Sequence, residues 1–216
     1  MKIMIHACNK RMHYVNGFLI PWLTGHGIRE EDLQVWVDAK QAGCLKAYIA
    51  SYKSLPEDGD TWHMEDDVLP GKAFFRTAPD LENIPGIMCG FGSLAYCRSM
   101  HPGLVYSPKE MYYSFPCIRI PNRQIKMFLS WFEMAARQQR YADYVEQNKH
   151  TDYLFRHFLD EVAADTRIYN LNPCLVEHVD EYVGGSTING NRDEIAKALA
   201  FDDPEAMAAL EEWRRK

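Results

Sequence analysis

Apolar and polar positions in this chain form blocks whose period changes along its length. Residues 1–8, MKIMIHAC, make a nearly continuous apolar run, the pattern of a strand buried on both faces. In KRMHYVNGFLIPWLTGHG, residues 10–27, the period lengthens. Val15, Phe18, Leu19 and Trp22 recur at spacings of three and four, which predicts a helix that Pro21 bends or ends. DLQVWVDA (32–39) predicts a second strand, QAGCLKAYIASYKSL (41–55) a second helix and TWHME (61–65) a third strand. This strand–helix alternation predicts an α/β fold built on a mainly parallel sheet, Rossmann-like in its layering.

The middle of the chain changes character. PGIMCGFGSLAYC (85–97) reads as a strand and a glycine-rich bend, and residues 101–122, rich in proline and aromatic residues, as loops and short strands. NRQIKMFLSWFEMAARQQRY (122–141) is amphipathic, with Ile125, Phe128, Leu129 and Phe132 on one face. TDYLFRHFLDEVAAD (151–165) predicts another helix, with Thr151 or Asp152 at its capping end. TRIYNL (166–171) predicts a strand, residues 172–191 a strand and then a glycine loop, and DDPEAMAALEEWRRK (202–216) a capped terminal helix. No linker or repeat interrupts the pattern, so one domain is expected over residues 1–216.

Composition narrows the class. At 47% hydrophobic and 25% charged residues, a chain of this length can bury a core. A net charge of −6 supplies no basic field, which disfavours a nucleic-acid partner. The six cysteines form no C-x-x-C pair and are expected to be reduced thiols. No run reaches the ~20 apolar residues of a membrane helix, and the first residues lack a signal-peptide pattern. A cytoplasmic protein is the expectation.

The chemistry concentrates at strand ends, where ligands bind in parallel α/β sheets. TWHMEDDVLP carries Glu65, Asp66 and Asp67 in a row. Such a triplet is either a solvated turn or a divalent-cation site, since hard cations take carboxylate oxygens. Asn9, Lys10 and Arg11 follow the first strand, where an arginine fork can meet a diphosphate or simply face water. Asp38 follows the second strand, as a ribose or base acceptor or a turn residue. Asp152 is a helix cap in an i,i+4 ion pair with Arg156, or a carboxylate aimed at a hydroxyl proton. His178 is a satisfied core histidine or a ligand.

The order of these features resembles glycosyltransferases of the GT-A fold: basic residues after the first strand, acids after a later one, an acidic helix start, then a strand ending in histidine. Glu65-x-Asp67 stands where that family holds a metal against the diphosphate of a nucleotide sugar. TDYLFRHFL looks like the segment that supplies the base, and IYNLNPCLVEH like the strand whose histidine closes the metal shell. The resemblance implies Mn2+ or Mg2+ on Asp67, Glu65 and His178. It implies a nucleotide-sugar donor, UDP-linked by expectation, on Asn9, Lys10, Arg11, Asp38, Glu65 and Asp66, with Asp152 as the base toward an unknown acceptor hydroxyl. The donor half would span about 1–100 and the acceptor half about 101–190, with a helical tail over 191–216. Tyr106, Tyr112, Tyr113 and Phe115 are acceptor contacts or ordinary core and loop packing, and Gly184 and Gly185 a hinge or a tight turn. The alternatives are a metal-dependent nucleotidyltransferase, without the P-loop motif that this sequence lacks, and a non-catalytic carbohydrate-binding protein of the same fold.

Overall fold

The computed structural model describes residues 1–82, 84–92, 103–106, 115–148, 151–184, 198 and 201–216. Its centre is a seven-stranded sheet in the order β2-β1-β3-β7-β5-β8-β6. The strands are β1 (Lys2–Cys8), β2 (Leu33–Asp38), β3 (Asp60–Glu65), β5 (Ile87–Cys89), β6 (Gly103–Tyr106), β7 (Cys117–Pro121) and β8 (Ile168–Asn172). β1 pairs in parallel with both β2 and β3, and β5 with β8. β7 runs antiparallel between β3 and β5, and β6 antiparallel to β8. Five of the seven strands therefore point the same way, as the strand–helix alternation predicts.

Side-chain alternation on β1 explains the layering, because successive residues of a strand face opposite sides. Ile3, Ile5 and Ala7 enter one core with Tyr14, Phe18, Leu23, Trp62, Met64 and Leu210. Met4 enters the other with Tyr48, Tyr52, Phe128, Phe155 and Phe158. The first core is roofed by the helical segment over residues 12–25 (α1), the second by α2 (Cys44–Lys53), α4 (Asn122–Ala135) and α6 (Thr151–Glu161). Along α4, Ile125, Phe128, Trp131 and Ala135 are buried, so the apolar face is centred one step from the Leu129 and Phe132 edge.

Pro21 does not end α1. The turn before it, Val15–Leu19, is π-helical and the helix runs on to Gly25, the wider turn taking up the lost proline donor. Beyond α3 (Lys72–Thr77), whose Phe74 is buried in the first core, two more elements were not legible in the sequence. One is α5 (Ala142–Gln147), which Asn148 ends in the left-handed region at φ 51°. The other is β4 (Val68–Pro70), which pairs antiparallel with β9 (Val176–His178) in a small second sheet, Val68 opposite His178. α1 serves the free side of β4, with the Tyr14 hydroxyl donating to the Val68 carbonyl and Trp22 Nε1 to that of Pro70, both at 2.8 Å.

The five described cysteines are free, Cys8 and Cys44 half-buried and the others buried. Among the described residues, no helix is long and apolar enough to cross a membrane. Tyr112, Tyr113, Gly185 and Cys97 lie outside the described residues, as does the side chain of Tyr106. Phe115 is a core residue and not a cleft contact: it is 5% exposed and packs edge-on to Tyr48 and Phe155.

Candidate active site

β1 feeds β2 on one side and has β3 on the other, which makes its carboxyl end a topological switch point, where open α/β sheets form a crevice. The registers Cys8 opposite Asp38 and His6 opposite Glu65 bring Asn9, Asp38 and the acidic triplet to one edge. There the chain turns through Asp66 and Asp67 into β4. The β4–β9 pairing then returns His178 to the triplet, and the Val179 N–H donates to the Asp67 carbonyl at 2.7 Å.

The three acids do different things. Asp66 is buried, with Oδ2 accepting from the Cys8 N–H at 2.6 Å and Oδ1 from Arg11 Nη1 at 2.7 Å. It locks the end of β3 to the end of β1. Asp67 is also buried, with Oδ2 at 2.5 Å from Arg11 Nη1 and 3.3 Å from His178 Nε2. Glu65 is half-buried, and its Oε1 accepts from the Tyr48 hydroxyl at 3.1 Å. One ligand-capable atom from each of Glu65, Asp67 and His178 lies within 4.8 Å of the others.

Burial, then the Asp67 charge, pushes Glu65 up to about 7 against the pull of His178. Burial also works against charge on Asp67, but His178 and Arg11 outweigh it and hold this carboxyl below its ordinary value. At His178 burial opposes protonation, yet Asp67, then Glu65 and Asp180, raise the ring to about 9. Opposite shifts on Asp67 and His178 describe one ion pair, with Asp180 Oδ1 3.6 Å from the far ring nitrogen.

The residues fit a divalent cation. Asp67 Oδ1 is buried and has no hydrogen-bond partner among the described residues, so it retains an acceptor that burial makes costly to leave idle. Two carboxylates and one imidazole suit Mn2+ and Mg2+ in charge and, for the nitrogen, Mn2+ in ligand type. A cation on Nε2 would take the place of the proton there.

The expected donor residues divide. Asn9 and Lys10 are exposed at the switch point, Asn9 Nδ2 donating to the Ala39 carbonyl and Lys10 Nζ to that of Gly184. Asp38 accepts from the Ala42 and Gly43 N–H groups at 2.8 and 3.0 Å, so it builds the turn before α2. Arg11 and Asp66 correct the expectation of direct donor contact. Arg11 is 3% exposed, because Asp66 and Asp67 draw its guanidinium beneath the site, and both Asp66 oxygens are taken by the protein.

Asp152 lies in the first turn of α6, and Arg156 pairs with Asp160 at 3.9 Å. Cys44, which opens α2, lies beside Thr151, the residue before Asp152, with its Sγ 3.7 Å from the Thr151 hydroxyl. Burial, then the charges of Glu65, Asp152 and Asp38, push the Cys44 thiol up to about 12 even though the Thr151 hydroxyl beside it favours the thiolate. Tyr48 and Asp180 are site neighbours that the sequence did not single out.

No family model matches the chain, and no curated protein does. Several solved structures are similar to it. One is the galactosyltransferase LgtC in complex with donor and acceptor sugar analogs, at 13% identity and a TM-score of 0.45, covering 100% of this chain and 95% of that one. Another is a glycosyltransferase involved in the glycosylation of the major capsid of PBCV-1, at 10% identity and a TM-score of 0.39, covering 100% of each chain. A third is the apo form of the glycosyltransferase GlyE of Streptococcus pneumoniae TIGR4, at 10% identity and a TM-score of 0.36, covering 98% of this chain and 62% of that one. With every TM-score below 0.5, these likenesses carry no argument about chemistry, which has to come from the side chains themselves.

Proposed function

We propose that the chain is a metal-dependent glycosyltransferase that moves a sugar from a nucleoside-diphosphate sugar, UDP-linked in the first instance, to an acceptor hydroxyl. The observation that carries this reading is the convergence of Glu65, Asp67 and His178 within 4.8 Å at the carboxyl ends of parallel strands. Glu65, Asp67 and His178 would hold Mn2+ or Mg2+. Bound there, the cation supplies positive charge to the diphosphate oxygens, where negative charge grows as the anomeric bond breaks.

The chain's own residues do the rest. Asn9 and Lys10 face the donor at the switch point, and Asp38 shapes the turn beside it. Arg11 and Asp66 form the floor, Arg11 offsetting the repulsion between buried carboxylates. Asp152 takes the proton of the acceptor hydroxyl in an inverting reaction. Residues 1–100 then supply most of the donor side, 101–190 the acceptor side, and the helix Pro204–Arg214 (α7) packs against α1 through Trp213, which meets His13, Tyr14 and Phe18.

The test is incubation with UDP-, GDP- and TDP-sugars, with and without Mn2+. Metal-dependent release of nucleoside diphosphate supports the proposal. Pyrophosphate formed from a nucleoside triphosphate and a sugar phosphate identifies a nucleotidyltransferase instead, and donor binding without turnover in any acceptor mixture identifies a binding protein.

A further inference from the structure

We propose that Tyr48 is a positioning residue for the cation site, fixing the Glu65 carboxylate by a hydrogen bond to one oxygen. The inference rests on the reading of Glu65, Asp67 and His178 as that site. A glutamate has one more torsion than an aspartate, so a ligand at position 65 gains from a second contact that holds it. The Tyr48 hydroxyl, 3.1 Å from Glu65 Oε1, supplies that contact and leaves Oε2 without this donor.

Tyr48 is itself held on every side. It is 4% exposed, and its ring stacks on the His6 imidazole at 4.1 Å and 23°. Tyr52 and Phe115 meet the same ring edge-on at 5.7 and 5.3 Å. The imidazole beneath is fixed by a buried polar chain. Ser51 Oγ donates to the Tyr48 carbonyl at 2.8 Å, which uses its only proton. His6 Nδ1, 3.3 Å from Ser51 Oγ, must then be the donor to that oxygen. His6 Nε2 is left as an acceptor, and His63 Nδ1 donates to it at 3.0 Å. One proton arrangement satisfies all three contacts, so the imidazole on which Tyr48 rests is held at both ring nitrogens. Tyr48 needs no contact with substrate to act; it acts through Glu65.

Calorimetric titration with MnCl2 tests this in the full chain, with thermal unfolding followed alongside. Tyr48→Phe keeps the ring and its stacking and removes only the donor. Its Mn2+ affinity is expected to fall about 10- to 100-fold, as for other partners of metal ligands. In a Glu65→Ala background the same substitution is expected to change Mn2+ affinity no further. Glu65→Asp, which draws the carboxylate back from the hydroxyl, gives a second route and is expected to lose affinity without a response to Tyr48→Phe. Unchanged affinity in Tyr48→Phe, or an equal loss when Glu65 is already absent, overturns the positioning role while leaving the cation site standing. Failure of the unsubstituted chain to bind Mn2+ overturns both.

Discussion

His63→Gln is expected to remove part of the chain's acid sensitivity. His63 is fully buried, and burial pushes its pKa down to about 3, against about 6.5 for a histidine in an unfolded chain. A base with a lowered folded pKa contributes stability that is fully present above the unfolded value and is lost as pH falls, because only the unfolded state takes the proton. The window is therefore about pH 6.5 down to about 3. Between pH 7 and pH 5 the folded ring stays neutral, so the unfolded value alone sets the cost, about 2 kcal/mol at ~1.4 kcal/mol per pH unit. Glutamine can still donate to His6 Nε2 but does not titrate. Urea unfolding of both proteins at pH 7 and pH 5 provides the measurement. Other groups titrate in the same range, Glu65 with the opposite sign since its folded pKa is raised to about 7, but they are common to both proteins. The unsubstituted chain is expected to lose about 2 kcal/mol more than the variant over this interval. Equal pH dependence in the two would refute the assignment of His63 as a neutral buried ring.

Two further substitutions separate fold from chemistry. Arg119 is fully buried, pairs with Asp60 at 3.2 Å and donates to the carbonyls of Leu81, Ile84 and Gly86. Arg119→Met is expected to cost about 3–5 kcal/mol in denaturant unfolding, and a cost below about 1 kcal/mol would contradict that role. Asp152→Asn is expected to lower turnover about 100-fold or more with donor affinity retained, and unchanged turnover would return Asp152 to a structural part of its helix.

The parts of this site that lie on single elements were legible in the sequence. The strand–helix alternation gives β1, β2 and β3 as strands of a parallel sheet, while their order β2-β1-β3 comes from the pairing. β3 ends at Glu65, and Asp66 and Asp67 form the turn that follows, so it is the contacts to Cys8 and Arg11 that set Asp66 apart from Glu65. What needed tertiary structure was not legible. Lys10 and Arg11 look alike as a basic pair, yet Arg11 is buried because carboxylates 55 and more residues away close over it. Val68, Leu69 and Pro70 read as the end of a segment, and only pairing with β9 makes them the strand that delivers His178. Tyr48 looked like any aromatic on the core face of a helix. Its use depends on how α2 lies over His6 and Glu65. A signal for the buried polar chain was present in the two histidines at inward positions of apolar strands, MKIMIHAC and TWHME.

In the proposed site Asp67, with Glu65 and His178, holds a divalent cation, while Asp66 beside it holds the fold. Titration calorimetry with MnCl2 on the unsubstituted chain, Asp67→Ala and Asp66→Asn tests this assignment most directly. One Mn2+ per chain is expected for the unsubstituted protein, no measurable binding for Asp67→Ala, and retained binding with lowered unfolding stability for Asp66→Asn. Binding of Mn2+ by Asp67→Ala with the affinity of the unsubstituted chain would contradict it.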